Sequence, residues 1–314
     1  MHTLTHPCLP NIEDENEIIF CANQDIMDEM SVIAHENTSS FFEFSTDRYE
    51  WYSISDISTE TNPLRYSVTL NKYERLFIRN IEGEVISYFK NSTDYPFPKI
   101  VSTGSKKFNI GGDLHTLIFK YTDRITELLN EHNYLRYLFG YTQNLIDAGD
   151  LLLPATKLYY GAYSEMFSSC KDLISAPKVL PADDLPQRAY RDMFKYCNAL
   201  VNPPELPATI LNDGCYQHMF YGCDSLVNAP ELLAIDLPVI KNVIGIGVYA
   251  GMFYGCNSLQ YVKCLGLTNI ADNRSMMFYN INNGSGKLVK HPDAEWTVGT
   301  LGIPEGWTVE DAVL

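Results

Sequence analysis

The sequence predicts an α+β fold in which a small antiparallel β-domain precedes a solenoid of stacked coils, each made of one short helix and one short strand. Three observations support this fold class. One motif recurs along the second half of the chain, its apolar residues are spaced as on one face of a helix, and residues 64–120 alternate apolar and polar positions as strands do.

The repeat is visible in five aligned stretches. They are "LFGYTQNL" at 138, "MFSSCKDL" at 166, "MFKYCNAL" at 193, "MFYGCDSL" at 219 and "MFYGCNSL" at 252. Their starts lie 28, 27, 26 and 33 residues apart, and the insertion "VIKNVIGIG" accounts for the longest step. A period in the twenties that recurs this often is typical of a solenoid with one supersecondary unit per repeat.

The residues inside each unit predict a short helix. A Tyr stands three residues before the Met, with Phe four and Cys seven residues after the Tyr. The spacing i, i+3, i+4, i+7 lays one apolar stripe along about two helical turns, which glycines such as Gly222 and Gly255 would end. We therefore expect a structural core ladder of Tyr163, Tyr190, Tyr216, Tyr249, Phe167, Phe194, Phe220, Phe253, Cys170, Cys197, Cys223 and Cys256.

The second half of each unit reads "SAPKVLPADDL", "NPPELPATIL" or "NAPELLAIDL". Proline lacks the amide donor that a central strand needs, so we expect only a strand of about three or four residues in each coil. Such strands, once stacked, form a narrow sheet beside the column of helices.

The segments outside the repeats divide the chain into four parts. Residues 1–60 are an N-terminal arm, either a solvated leader or a docking segment. Residues 61–120 form a β-rich capping domain, with strands expected at "RYSVTL", "RLFIRN", "EVISYF", "KFNIGG" and "HTLIF". Residues 121–280 form the solenoid, and residues 281–314 form a C-terminal cap in which Trp296 and Trp307 cover the last coil.

Composition excludes several classes of function. The 23 Lys and Arg against 39 Asp and Glu give a net charge of −16, which repels nucleic acid and anionic lipid. No run of apolar residues is long enough for a membrane helix, and the first residues lack the pattern of a secretory signal. The eight cysteines lack zinc-site spacing and are too sparse for a disulfide framework.

We found no residues arranged for catalysis, so the chain is not expected to be an enzyme, and no metal or cofactor is expected. His218 falls at a variable position of a repeat and is interpreted as exposed, and Asp183 and Asp184 are interpreted as a solvated turn. "GIGVYAG" has the wrong glycine spacing for a phosphate loop. The candidate ligand-binding residues are the aromatics between the core positions, Tyr196, Tyr221 and Tyr254.

These motifs also carry a family resemblance. Tyr-x-x-Met-Phe-x-x-Cys-x-x-Leu followed by Ala-Pro-x-Leu, as in "MFYGCDSLVNAPEL", resembles the BspA-like leucine-rich repeat proteins of gut Bacteroidales and of the bacteriophages that infect them. The resemblance covers about residues 45–314 and implies a BspA-type leucine-rich-repeat solenoid. It departs from the family pattern at Leu135, which replaces Tyr in the first unit, and at the insertion.

The resemblance implies binding and not catalysis. We expect a structural or decorating protein of a bacteriophage virion whose repeat surface contacts a host-surface glycan or protein. The alternative is a secreted or cell-surface adhesin of the bacterium itself. A glycan-active enzyme is a third class, which no residues support. The expected partners are other virion proteins or the host-surface ligand, and the chain is expected to act as a homo-oligomer or in many copies, because weak contacts gain avidity when multiplied.

Overall fold

The chain forms two compact units, which are described separately. One unit contains Met1–Ile125 and Asn144–Pro154, and the other contains Thr126–Gln143 and Ala155–Leu314. The computed structural model describes Glu50, seven short strands before residue 103, and residues 107–114, 135–238, 247–267, 276–281, 284–299 and 302–314.

The first unit is a β-domain whose described strands form two sheets. The strands are β1 Ile18–Ala22, β2 Met30–Ala34, β3 Phe42–Ser45, β4 Tyr52–Ser53, β5 Leu64–Val68, β6 Arg75–Asn80, β7 Lys99–Ser102, β8 Phe108–Asp113 and β9 Leu145–Leu152. The larger sheet has the order β4-β3-β6-β1-β8-β9 and the smaller has the order β5-β2-β7. Neighbours pair antiparallel except β8 and β9, which are parallel.

Three of the five stretches expected to be strands coincide with β5, β6 and β8, and the other two lie outside the described residues. β1 pairs with both β6 and β8, so a strand from the first 60 residues is part of the same sheet as strands that follow it. The side chains of Phe44, Ile78 and Phe108 are buried in this unit.

The second unit is a stack of coils, but the predicted α+β class with one short helix per coil is wrong. No helix occurs among the residues that the structure describes, and the Tyr-x-x-Met-Phe segments form continuous series of turns instead. We number the coils 1 to 6 by their turn segments, which lie at 135–142, 161–170, 188–197, 214–223, 247–256 and 276–280.

The hydrogen bonds explain why these segments are not helices. In coil 2 every second amide bonds within its own coil, as when the Met166 N–H donates to the Tyr163 carbonyl at 3.3 Å. The amides between them bond to the next coil: the Phe167 N–H donates to the Met193 carbonyl at 2.9 Å. A helix satisfies its amides within itself, whereas half of these join neighbouring coils, so each turn segment is also a rung of a ladder.

The backbone repeats every four residues. In coil 2 the positive φ angles fall at Gly161, Glu165 and Ser169, with values of 63°, 58° and 64°. A positive φ at the third residue of a turn is the requirement of a type II turn. A four-residue period places i, i+3, i+4 and i+7 on one side as well as a helix does, so the apolar spacing alone could not separate the two structures. Glycines four apart at 251 and 255 were the available signal for turns.

The core of the second unit consists of columns of identical side chains. Along the Phe column, from Phe139 through Phe253 to Phe278, successive ring centres lie 5.2 to 6.1 Å apart. The Tyr column of Tyr163, Tyr190, Tyr216 and Tyr249 has steps of 5.9 to 6.0 Å. Both columns are buried, and their stacked aromatic rings add about 0.5–1.5 kcal/mol per pair to the burial of their area.

A third column is formed by four thiols. Cys170, Cys197, Cys223 and Cys256 are fully buried and reduced, and each Sγ donates to the carbonyl of the Phe in the preceding coil at 3.0 to 3.1 Å. Burial raises the pKa of the Cys256 thiol to about 12. These thiols therefore stay protonated and act as small apolar side chains with one weak donor.

The proline-rich halves of the coils form a narrow parallel ladder. It includes the pair β10 Asp184–Leu185 and β11 Ile210–Leu211, and the three-stranded sheet of β12 Tyr261–Cys264, β13 Lys287–Lys290 and β14 Thr308–Asp311. Isolated bridges such as Ser175–Asn202 continue it between the other coils. At the C-terminal end Trp296 and Trp307 lie 5.8 and 5.6 Å from Phe278, the last ring of the Phe column.

Candidate functional site

The candidate tyrosines form a row on the outer face of the turn segments. The rings of Tyr196 and Tyr221 meet edge to face with centres 5.2 Å apart, and Tyr221 and Tyr254 stack in parallel at 4.3 Å. Tyr279 extends the row into coil 6, 5.2 Å from Tyr254. Sequence analysis missed Tyr279 because it lies in the degenerate unit "MMFYNINN", although it follows its Phe by one residue as Tyr221 and Tyr254 do. We call these four residues the tyrosine row.

Tyr196 reaches the row from a different backbone position. It follows its Phe by two residues and has φ of 60°, the position that glycine occupies in the next two coils. Its ring lies over Gly222, where an added Cβ would sit 2.7 Å from the ring atom Cδ1. The glycine therefore makes room for the aromatic ring, which remains 42% exposed to solvent.

A lysine and a histidine border the row. The Lys195 Nζ lies 5.7 and 5.4 Å from the ring centres of Tyr196 and Tyr221, within the range of a cation–π interaction. The His218 ring meets the Tyr221 ring edge to face at 5.6 Å. Burial raises the pKa of Tyr221, with further contributions from its neighbours Tyr196 and Tyr254, so its hydroxyl stays neutral.

A buried carboxylate holds this border in place. Asp192 is 4% exposed, and its Oδ1 lies 3.1 Å from the Lys195 Nζ and 3.4 Å from the His218 Nδ1. Its Oδ2 accepts a hydrogen bond from the Arg191 Nε at 3.0 Å. Burial opposes ionisation of Asp192, but the neighbouring His218 and the Lys195 charge outweigh it, and the pKa of the carboxyl is lowered. The ionised Asp192 orients both neighbours of the tyrosine row.

The other candidates lie apart from the row. The side chain of His218 is only 29% exposed, so the interpretation of this residue as exposed was incomplete: one edge of the ring faces Asp192. Asp183 and Asp184 are exposed on the proline-rich side, where Asp184 belongs to β10. Their exposure leaves them without the enclosed pocket that acid–base catalysis needs.

A surface groove of about 390 Å³ lies on the proline-rich side of coils 3 and 4. Glu205 and Glu231 face it, and Glu231 is 3.0 Å from the Lys263 Nζ. Its other lining residues are Pro203, Pro204, Leu206, Pro207, Pro230 and Leu233.

Within the described part of the chain, no group of three His, Cys, Asp or Glu side chains is placed to hold a metal ion. In the same residues no helix has the length and apolarity needed to cross a membrane.

No family model, curated protein or solved structure matches this chain. The second unit is a repeat array of stacked, turn-rich coils with an aromatic row on its outer face.

Proposed function

We propose that the chain is a non-enzymatic binding protein, a structural or decorating component of a bacteriophage virion whose repeat surface contacts a host-surface glycan or protein. The observation that carries this proposal is the tyrosine row, which runs through four consecutive coils and is attached to a buried, stacked core. Tyrosine offers a large contact area with a polar tip at low entropic cost, which suits both sugars and proteins.

The rigidity of the support favours binding as the role of this surface. Each of the first five turn segments is joined to the next coil by two or more backbone hydrogen bonds, such as that from the Tyr196 N–H to the Tyr221 carbonyl at 2.7 Å. A surface that is ordered before binding loses less entropy on contact than a mobile loop does. The sequence resemblance to repeat proteins of Bacteroidales and their phages supports the same role, and the net charge of −16 disfavours nucleic acid and anionic lipid as ligands.

The proposal is tested by locating the protein. An antibody raised against residues 120–280 and immunogold labelling of lysates from infected host cells would report whether gold decorates phage particles. Antibody adsorbed with the purified chain serves as the control. Label on particles is the expected result. Label on the envelopes of uninfected cells would overturn the virion assignment and favour a bacterial surface adhesin.

A further inference from the structure

A strip without outward side chains lies beside the tyrosine row in coils 4 and 5. The two coils read "YGCD" at 221–224 and "YGCN" at 254–257. In each coil the Cys side chain is buried in the core and the Gly has no side chain. The backbone between the Tyr and the following Asp or Asn therefore has no side chain that points to solvent. We call this strip, formed by Gly222, Cys223, Gly255 and Cys256, the furrow.

The two ends of the furrow differ. At coil 4 the Tyr196 ring lies over Gly222 and closes the strip. At coil 5 a Cβ added to Gly255 would meet no atom within 4 Å beyond its chain neighbours, so the space above this residue is open. The Gly255 backbone itself is buried, because it forms the floor between the tyrosine row and the polar residues that follow each Cys. The Gly222 N–H donates to the Tyr254 carbonyl at 2.8 Å, so the floor is part of the hydrogen-bonded ladder. The furrow therefore has a hydrogen-bonded backbone floor and open space over coil 5.

The far wall of the furrow is a row of polar side chains joined by hydrogen bonds. The Asn198 Nδ2 donates to the Asp224 Oδ2 at 3.0 Å, and the Asn257 Nδ2 donates to the Asp224 Oδ1 at 3.2 Å. The Asn198 Nδ2 also donates to the Gly222 carbonyl at 3.1 Å. Each carboxylate oxygen has two lone pairs, so Asp224 retains acceptor capacity for a ligand and is held in one orientation by its two amide neighbours.

We propose that the furrow is a carbohydrate site that takes a neutral pyranose, with tyrosine C–H and hydroxyl groups on one side and Asp224 on the other. A pyranose combines an apolar C–H surface with a set of hydroxyl donors, which matches an aromatic wall facing a fixed carboxylate. Sialylated or uronate sugars are disfavoured because they would place a second negative charge beside Asp224 on a chain of net charge −16. This inference rests on the proposed function and names the ligand class of the same surface.

The test uses the full chain coupled in many copies to beads, since single sugar contacts are weak. The probes are immobilised neutral oligosaccharides containing glucose, galactose, mannose, fucose or N-acetylhexosamines, with sialylated and uronate-bearing oligosaccharides as the charge comparison. We expect binding to at least one neutral sugar. Asp224→Ala removes a charged acceptor and should weaken that binding at least about tenfold.

Two pairs of variants separate the furrow from general damage. Gly255→Asn fills the floor at φ of 68° with a residue that tolerates this conformation, and should weaken binding as Asp224→Ala does. Ser169→Asn introduces the same residue at φ of 64° in coil 2 and should leave binding unchanged. Asp183→Ala matches the charge change of Asp224→Ala at an exposed site and should leave affinity unchanged. Equal unfolding midpoints confirm that the variants are folded.

The outcomes distinguish the furrow from the function that it serves. Neutral-sugar binding that survives both Asp224→Ala and Gly255→Asn overturns the furrow, as does a preference for acidic sugars. Absence of sugar binding from a preparation that still binds host cells also overturns it, and leaves the proposed function standing. Failure of the proposed function would appear separately, as absence of gold from phage particles.

Discussion

The thiol of Cys223 donates a hydrogen bond of 3.1 Å to the backbone carbonyl of Phe194, one coil earlier in the stack. That carbonyl also accepts from the Cys197 N–H within its own coil at 3.1 Å. One side chain thus joins two coils at the point where the turn segment ends, and the same contact is repeated at three other coils.

Removing this thiol should lower the free energy of unfolding more than removing a thiol that lacks the bond to the preceding coil. Cys223→Ala loses packing volume and the bond to Phe194 in the preceding coil. Cys215→Ala, at an equally buried cysteine, loses volume and only local contacts with the backbone near Asn212 and Tyr216. We expect Cys223→Ala to lower the free energy of unfolding by about 0.5–1.5 kcal/mol more than Cys215→Ala. Urea unfolding of both variants measures the difference, and equal losses would show that the thiol bond contributes nothing.

The turn segments give a second matched pair. Gly251 and Gly255 have φ of 58° and 68°, so alanine at either position is strained by about 1–2 kcal/mol. At Gly251 the added methyl would in addition overlap the His218 ring, whereas the space at Gly255 is open. We expect Gly251→Ala to reduce the thermal midpoint clearly more than Gly255→Ala. Indistinguishable midpoints would contradict the placement of His218.

The sequence predicts the order of the coils and their core better than their local structure. The Tyr, Phe and Cys positions are visible because every coil repeats them, and the prolines limit strand length in any fold. The helices were predicted wrongly because a period of four and a period of 3.6 bury the same short set of positions. The helix and the turn series differ only in which carbonyls accept the backbone N–H hydrogen bonds. The bond from the Phe167 N–H to the Met193 carbonyl joins two coils and cannot be deduced from either residue alone.

The candidate site was predicted in part. Tyr221 and Tyr254 occupy the same position in successive coils, and Tyr196 lies one residue further along its own coil, so their proximity could be expected. Other features of the site could not be predicted because they join residues of neighbouring coils. Tyr196 contacts Gly222, and Asp192 contacts His218, and each pair is 26 residues apart in the sequence. A single sequence gives the register of such neighbours only after the length of each coil is known.

The Asp192 carboxylate should make stability depend on pH. Its pKa is lowered in the folded chain, so its contribution is fully present above the ordinary aspartate value of about 3.9 and is lost as the pH falls through the folded value. Asp192→Asn, which keeps the shape and tolerates φ of 55°, should lower the free energy of unfolding by about 1–2 kcal/mol at pH 7.

The pH profile of that loss is the diagnostic measurement. The difference between the wild type and Asp192→Asn should persist from pH 7 to about pH 5 and shrink below about pH 3.9. Asp183→Asn, at an exposed aspartate, serves as the control and should be nearly neutral throughout. A difference that stays constant into acid would mean that Asp192 acts through packing and not through its charge.

The Tyr column contains a hydroxyl whose removal should be tolerated. Tyr190 is fully buried, and its hydroxyl has no hydrogen-bond partner within the described part of the chain. Tyr190→Phe keeps the stacked ring and removes a desolvated polar group, so we expect stability to be unchanged or raised by about 1 kcal/mol. Tyr190→Leu loses the ring and should cost about 1–3 kcal/mol. A loss on Tyr190→Phe, measured by thermal unfolding, would mean that the hydroxyl is paired in solution.

The most direct test of the account is whether the tyrosine row carries binding. Fluorescently labelled chain would be titrated onto intact host cells and compared with the triple variant Tyr196→Ala, Tyr221→Ala, Tyr254→Ala, after circular dichroism has shown that the variant keeps its fold. Ser169→Ala, on the same face of coil 2, is the control. The account predicts that the triple variant binds at least about tenfold more weakly while the control binds as the wild type does. Undiminished binding by a folded triple variant would contradict it.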